Sequence, residues 1–129
     1  MKNFRPPQKI YIKTSDIKSA GRGVFAREKI NKGEIIEICP FIKIDKNDPE
    51  NLFGGELVTY FFYFGKNREE IALLLGFGSL YNHSYSPNCK YEIKPKERVV
   101  RFTATRNIKI NEEITFNYKG DNTTKLWFE

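Results

Sequence analysis

The chain has one histidine, His83, within "LYNHSYSPNCKYE" (residues 80–92), set between Asn82 and Ser84. A histidine can work as a base, as a metal ligand or as a neutral hydrogen-bonding group. The first two roles need partners that the sequence does not supply. There is no G-x-S-x-G to place a nucleophilic serine beside it. There is no H-E-x-x-H for a metal. The two cysteines, Cys39 and Cys89, lie fifty residues apart with no C-x-x-C pair. That spacing argues against zinc, and the count excludes a disulfide framework. Both read as reduced, buried thiols. "GRGVFA" (21–26) holds a G-x-G but not a full G-x-G-x-x-G, and no phosphate-binding P-loop is present.

The elements that must position these residues read as short strands. "KIYIKTS" (9–15) alternates apolar and polar residues, a strand pattern. "SAGRGVFA" (19–26) is a glycine-bearing turn running into a second strand. "NKGEIIEICPFIKI" (31–44) is a turn at Gly33 and a strand that Pro40 should break. Residues 45–56 are loop by composition, and "LVTYFFYFGK" (57–66) is an aromatic, β-branched strand. A strand is expected over 71–75 and a short helical turn over 77–82. Two further strands, "CKYEIKP" and "RVVRFTAT", join near Pro95, and "EEITFNY" (112–118) is another.

One internal echo is visible. "AREKINKGEII" (26–36) matches "TATRNIKINEEIT" (103–115), pairing Ile30 with Ile108, Gly33 with Asn111 and Glu34 with Glu112. Each unit puts a residue tolerant of positive φ before a β-run. Two such units imply small sheets packed around each other, and two copies do not make a solenoid.

The chain has 129 residues, a single-domain length that buries roughly two-thirds of the unfolded chain's surface. Its 11 Phe and 7 Tyr against one Trp point to β-rich structure. The net charge of +6 is spread through mixed runs such as "KPKERVVR". It could steer an acidic partner, but the basic residues form no single stripe, which argues against nucleic acid as a direct ligand. No apolar run is long enough to span a membrane. No secretory leader is evident, so the expected location is cytoplasmic or nuclear.

Three stretches in order, "GRGVFA" (21–26), "NHSYSPNC" (82–89) and "EEITFNY" (112–118), resemble the SET-domain protein lysine methyltransferases. The resemblance covers about residues 10–120, leaving 1–9 as an N-terminal arm and 121–129 as a tail placed to close the site. It implies a mostly β, β-clip-like fold of several small sheets, with the C-terminal segment tucked beside N-H-S as a pseudoknot. It also implies methyl transfer from S-adenosylmethionine to a lysine ε-amine of a protein, a histone tail or another basic protein. That reaction is an in-line displacement, in which positioning supplies much of the rate. The lysine, with a reference pKa near 10.4, loses its proton in an apolar aromatic channel facing a sulfonium charge. No strong protein base is then needed, and His83 need not titrate.

The resemblance assigns roles to residues. Tyr118 matches the catalytic tyrosine and also lies against the cofactor. Phe116, two residues earlier, matches the position that sets how many methyl groups fit, and Phe there implies di- or trimethyl-lysine. Asn82 and His83 match the cofactor-binding pair. Gly21, Arg22 and Gly23 bring backbone close to the cofactor. Tyr63 is a candidate wall of the lysine channel, with Tyr60, Phe62 and Phe64 on the opposite, core face. Tyr81 is expected to face the peptide. Two departures matter. Tyr85 stands where many members carry a zinc-binding cysteine, and the tail has no C-x-C, so no metal is implied. "LWF" (126–128) instead offers Trp127 to cover adenine or the channel. Aromatic surface around "YFFYF" (60–64) suggests a two-fold homodimer. The alternative reading is a catalytically silent SET-like module that binds protein or nucleic acid.

Overall fold

Ile30 and Ile108 exchange two backbone hydrogen bonds, 3.0 Å from Ile30 N to Ile108 O and 2.8 Å in return. The echo seen in the sequence is thus a physical pairing, and several further bonds come in matched pairs. Gly33 N donates to Ala104 O as Asn111 N donates to Ala26 O, and Ala104 N donates to Glu34 O as Ala26 N donates to Glu112 O. The carboxylate of Glu34 accepts from Asn31 N, and that of Glu112 from Lys109 N. Gly33 (φ +88°) and Asn111 (φ +68°) hold the left-handed turns. Asparagine tolerates that region better than other side chains. The local pseudo-dyad buries Ile30 and Ile108 completely.

The computed structural model describes residues 7–44, 62–64 and 70–118. Two sheets grow from this junction. The first has the order β1-β2-β9-β6, built from β1 (Ile10–Thr14), β2 (Arg22–Ala26), β9 (Glu113–Phe116) and β6 (Asn82–His83). The second has the order β4-β5-β3-β8-β7, from β4 (Phe62–Phe64), β5 (Glu70–Leu74), β3 (Ile35–Ile44), β8 (Val99–Ala104) and β7 (Cys89–Lys94). A 3-10 turn at Gly78–Leu80 is the one helical element among the described residues. The mostly β fold of small sheets matches expectation. The pairing of β6 with β9 is parallel, which is the expected tuck of the C-terminal segment beside Asn82-His83.

One expectation fails. β3 is not broken at Pro40 but runs on to Ile44. Pro40 pairs with Val99 of β8, whereas pairing with β5 starts only at Phe41. The missing N–H therefore faces the end of the β5 ladder, where the Pro40 carbonyl still accepts from Leu75 N at 2.9 Å, and proline is tolerated at such a ladder end. β3 also carries a bulge. Ile35 pairs with Thr103 and Glu37 with Phe102, so Ile36 is the extra residue. An added residue reverses the inward–outward alternation that follows it. It turns Glu37, Cys39 and Phe41 inward, onto the face of Phe102 and Val100.

The core fills the space between the sheets. Val24, Ala26, Val100, Phe102 and Ile114 join the two isoleucines at essentially zero exposure. Cys39 and Cys89 are buried free thiols. Burial pushes both thiols up, Cys89 to about 12, so neither supplies a thiolate nucleophile at neutral pH. Of the strand expected over 57–66, only 62–64 lies among the described residues.

Candidate active site

The side-chain amide of Asn82 ties the three motifs together. Its Nδ2 donates to the carbonyl oxygen of Arg22 at 3.0 Å and to Glu113 Oε2 at 2.8 Å. The other carboxylate oxygen of Glu113 accepts from Ser15 Oγ at 2.7 Å. Gly23 explains why this fits. A Cβ there would sit 2.4 Å from Glu113 Oε2 and 2.9 Å from Asn82 Nδ2. The absent side chain at Gly23 thus makes room for the protein's own polar pair. Gly21 differs: its φ is +72° and a Cβ would meet nothing within 4 Å, so open space lies beside the backbone. Arg22 is exposed and enters the site through its carbonyl.

His83 works as an acceptor. Tyr118 N donates to its Nδ1 at 3.0 Å, which puts the ring proton on Nε2. The imidazole also packs edge-on to Tyr85, with ring centroids 4.3 Å apart, and lies 5.1 Å from the Tyr118 ring. Together with Ser84 N donating to Phe116 O, this fixes where the chain goes as it leaves β9. Asn88 adds two bonds. Its Oδ1 accepts from Thr115 N at 2.9 Å and its Nδ2 donates to Glu113 O at 2.8 Å. A fully buried amide thereby replaces a neighbouring strand.

Tyr118 is held at its tip as well. Its hydroxyl donates to the carbonyl oxygen of Tyr81 at 2.5 Å, so the phenolic oxygen serves the site as an acceptor. Phe116 is 2% exposed. Its ring lies 4.9 Å from that of Tyr118, 5.4 Å from Tyr91 and 5.9 Å from Phe62. Phe62 in turn meets Tyr91 edge-on at 4.7 Å. These rings form an apolar wall ending at the Tyr118 hydroxyl.

The expected residues are therefore brought together in part. Asn82, His83, Phe116, Tyr118 and the Arg22 carbonyl converge. Tyr81 was expected to face a peptide, yet its side chain is 1% exposed and stacked 4.4 Å from Phe102, with its hydroxyl on Glu37 Oε1. Its contribution to the site is its carbonyl, because the side chain packs inward as the 3-10 turn ends. Tyr63 stands on the face of β4 opposite to Phe62, paired with Ile71, so Phe62 and not Tyr63 joins the ring cluster. Trp127 and Tyr60 lie outside the described residues. Sequence reasoning assigned no role to Glu113, Asn88, Glu37 or Tyr91. The first two stood inside the quoted motifs, and their polarity within β-forming or turn sequence was the available signal.

The donor set suits a cofactor with a cationic amino-acid end. Both N–H groups of the Asn82 amide are committed inside the protein, which leaves its Oδ1 to accept from an ammonium group. Gly21, with its open space, directly precedes Arg22, whose carbonyl accepts from the same Asn82 amide. Among the described residues no three His, Cys, Asp or Glu side chains gather as a metal site, and no helix is long and apolar enough to cross a membrane.

Comparison with known proteins agrees with this geometry. The SET domain family model matches residues 21–119. A Schizosaccharomyces pombe protein described as a histone-lysine N-methyltransferase specific for H3 lysine-37 is 32% identical over 118 residues, 92% of this chain and 77% of that one. The crystal structure of a candidate histone methyltransferase from Plasmodium falciparum shares 39% identity, covers 85% of this chain and 96% of its own, and superimposes with a TM-score of 0.66. Polycomb repressive complex 2 of Chaetomium thermophilum, bound to S-adenosylmethionine in an autoinhibited conformation, is 25% identical over 93% of this chain and 16% of that one, with a TM-score of 0.69.

Proposed function

The chain belongs to the SET-domain family, and from that premise we propose that it methylates a lysine of a histone or another basic protein, carrying the amine to the di- or trimethyl state. It is a protein-lysine N-methyltransferase that uses S-adenosylmethionine. The observation that carries the finer reading is the meeting of the Tyr118 hydroxyl, the Tyr81 carbonyl and the Phe116 ring at the end of β9.

When bound, S-adenosylmethionine supplies a methyl group on a sulfonium sulfur, whose S–C bond breaks as the lysine N–C bond forms. The residues that would hold it are Asn82, through Oδ1, and the backbone at Gly21 and His83, with Trp127 of the tail as a cover. The wall of Phe62, Tyr91 and Phe116 strips water from the lysine, which lowers the cost of giving its proton to solvent. Tyr118, anchored through its own proton, offers its oxygen to the amine and fixes its direction. Phe116 brings no hydroxyl to hold a water where further methyl groups must go.

Incubation with labelled S-adenosylmethionine and a panel of lysine peptides tests the reading. Mass spectrometry should find di- or trimethyl-lysine with the wild type and a shift toward monomethyl-lysine with Phe116→Tyr. A product count unchanged by Phe116→Tyr would contradict the role given to that ring. With a histone as substrate the activity belongs in the nucleus. Ile38, Ile42 and Tyr63 are all exposed on the five-stranded sheet and favour a homodimer through that face, which sedimentation at tens of micromolar should detect as twice the monomer mass.

A further inference from the structure

Glu37 is a buried carboxylate on a strand whose other inward residues are apolar. It is 6% exposed, and it faces inward because of the bulge at Ile36. A buried carboxyl without partners is very costly, but this one has donors on both sides. Its Oε2 accepts from Phe77 N at 2.9 Å and its Oε1 from the Tyr81 hydroxyl at 2.7 Å. The Cys39 thiol is a third partner.

The two bonded residues bracket one short segment. Phe77 precedes the 3-10 turn at Gly78–Leu80 and Tyr81 follows it. Gly76, at φ +67°, lies so close that a Cβ there would be 2.5 Å from Glu37 Oε2. Glu37 therefore clamps both ends of the turn. Tyr81 is also the residue whose carbonyl accepts the Tyr118 hydroxyl. A carbonyl cannot rotate independently of its own backbone, and this backbone is held through the Tyr81 side chain by Glu37 and by stacking on Phe102.

We infer that Glu37 is a positioning residue for methyl transfer: by gripping Phe77 N and the Tyr81 hydroxyl it aims the Tyr81 carbonyl, and through it the hydroxyl of Tyr118. Glu37 touches no reacting atom. Its effect passes from Glu37 in β3 to Tyr81, between the 3-10 turn and β6, and on to Tyr118, just beyond β9. The inference rests on the methyl-transfer reading for its kinetic consequence, but its structural consequence can be read without any turnover.

Two measurements test it. The first uses the protein alone. The hydroxyl proton and ring-carbon resonances of Tyr118, identified by their loss in Tyr118→Phe, should shift in both Glu37→Gln and Tyr81→Phe while thermal melting confirms folding. Unchanged Tyr118 resonances in both variants would overturn the inference. The second is a double-mutant cycle on turnover. Tyr81→Phe should lower kcat about fivefold to twentyfold with little change in KM, yet cost less than about twofold in a Tyr118→Phe background, because residues acting through one another are not additive. Glu37→Gln, which keeps one acceptor oxygen, should fall between the wild type and Tyr81→Phe. A Tyr81→Phe loss of equal size in both backgrounds would mean a general structural role and would also overturn the inference. An inactive wild type with the expected resonance shifts would instead count against the methyl-transfer reading and leave the positioning chain standing.

Discussion

Two junctions hold this chain together, and they are built from different kinds of hydrogen bond. At Ile30 and Ile108, main chain pairs with main chain in matched bonds around two buried isoleucines. Where β6 meets β9, side chains do most of the joining: Asn82, His83, Asn88 and Tyr118 each bond a backbone group of another segment. The first kind depends on turn geometry and apolar bulk and tolerates many side chains. The second depends on particular functional groups at particular atoms. Stability should therefore concentrate at the dyad, and chemistry at the β6–β9 crossing, although β9 begins directly after the dyad's second turn.

Truncations at the two places should separate these quantities. Ile108→Ala removes fully buried bulk and should destabilise the fold by about 2–5 kcal/mol, read as a lowered denaturation midpoint, while surviving folded protein binds S-adenosylmethionine normally. Asn82→Ala should do the reverse. Calorimetry should show S-adenosylmethionine binding weakened by tenfold or more, roughly the 1.4 kcal/mol or above expected when such a polar contact is lost, with a smaller change in melting temperature. If Ile108→Ala abolished binding in a folded protein, or Asn82→Ala left binding intact, the division would fail.

Backbone strain within the dyad gives a smaller contrast. A Cβ at Gly33 meets no atom within 4 Å, so Gly33→Ala should cost only the left-handed penalty, about 1–2 kcal/mol. Asn111→Gly relieves that strain but loses the bond from the Tyr11 hydroxyl, so it should be close to neutral. Both are read from urea midpoints, and equal large losses would argue against the pseudo-symmetric turns.

The smallest contrast is in pH. Burial raises the pKa of Glu37 above the ordinary value, so its stabilising contribution is full below the unfolded pKa and fades as pH rises through its raised folded value. Burial also pushes up on Glu112, but the Lys109 N–H and Arg106 outweigh it and leave its pKa lowered. Its contribution is present above the unfolded value and is lost as pH falls through the lowered one. Melting temperatures of the wild type relative to Glu37→Gln should fall as pH rises from the ordinary carboxylate range toward neutrality, whereas relative to Glu112→Gln they should fall as pH drops below that range. Trends of the same sign would contradict these assignments.

The dyad was legible in the sequence because it repeats: Ile30 with Ile108 and Gly33 with Asn111 could be aligned by eye. The strand at 10–14 was legible because its apolar–polar alternation is local, whereas the strands at 22–26 and 113–116 carry no such alternation and are buried along most of their length. Motif residues Asn82, His83, Phe116 and Tyr118 were found through likeness to a family. What local pattern could not give was side-chain direction at irregular points. The bulge at Ile36 reverses the alternation ahead of Glu37, so a residue that reads as exposed becomes a buried clamp. Tyr81 turns inward at the end of the 3-10 turn for reasons set by Glu37 and Phe102, far away in sequence. Pro40 looked like a strand breaker because nothing nearby shows where β5 stops.

The most direct measurement compares wild type with Tyr118→Phe on a lysine peptide, with S-adenosylmethionine binding checked by calorimetry and methyl transfer followed by mass spectrometry. The substitution removes one oxygen from the end of the aromatic wall. Turnover should fall by about tenfold to a thousandfold, equivalent to about 1.4–4 kcal/mol of barrier, while binding and melting temperature stay near wild type. Full-rate transfer by Tyr118→Phe would contradict the assignment of Tyr118 as the group that positions the amine.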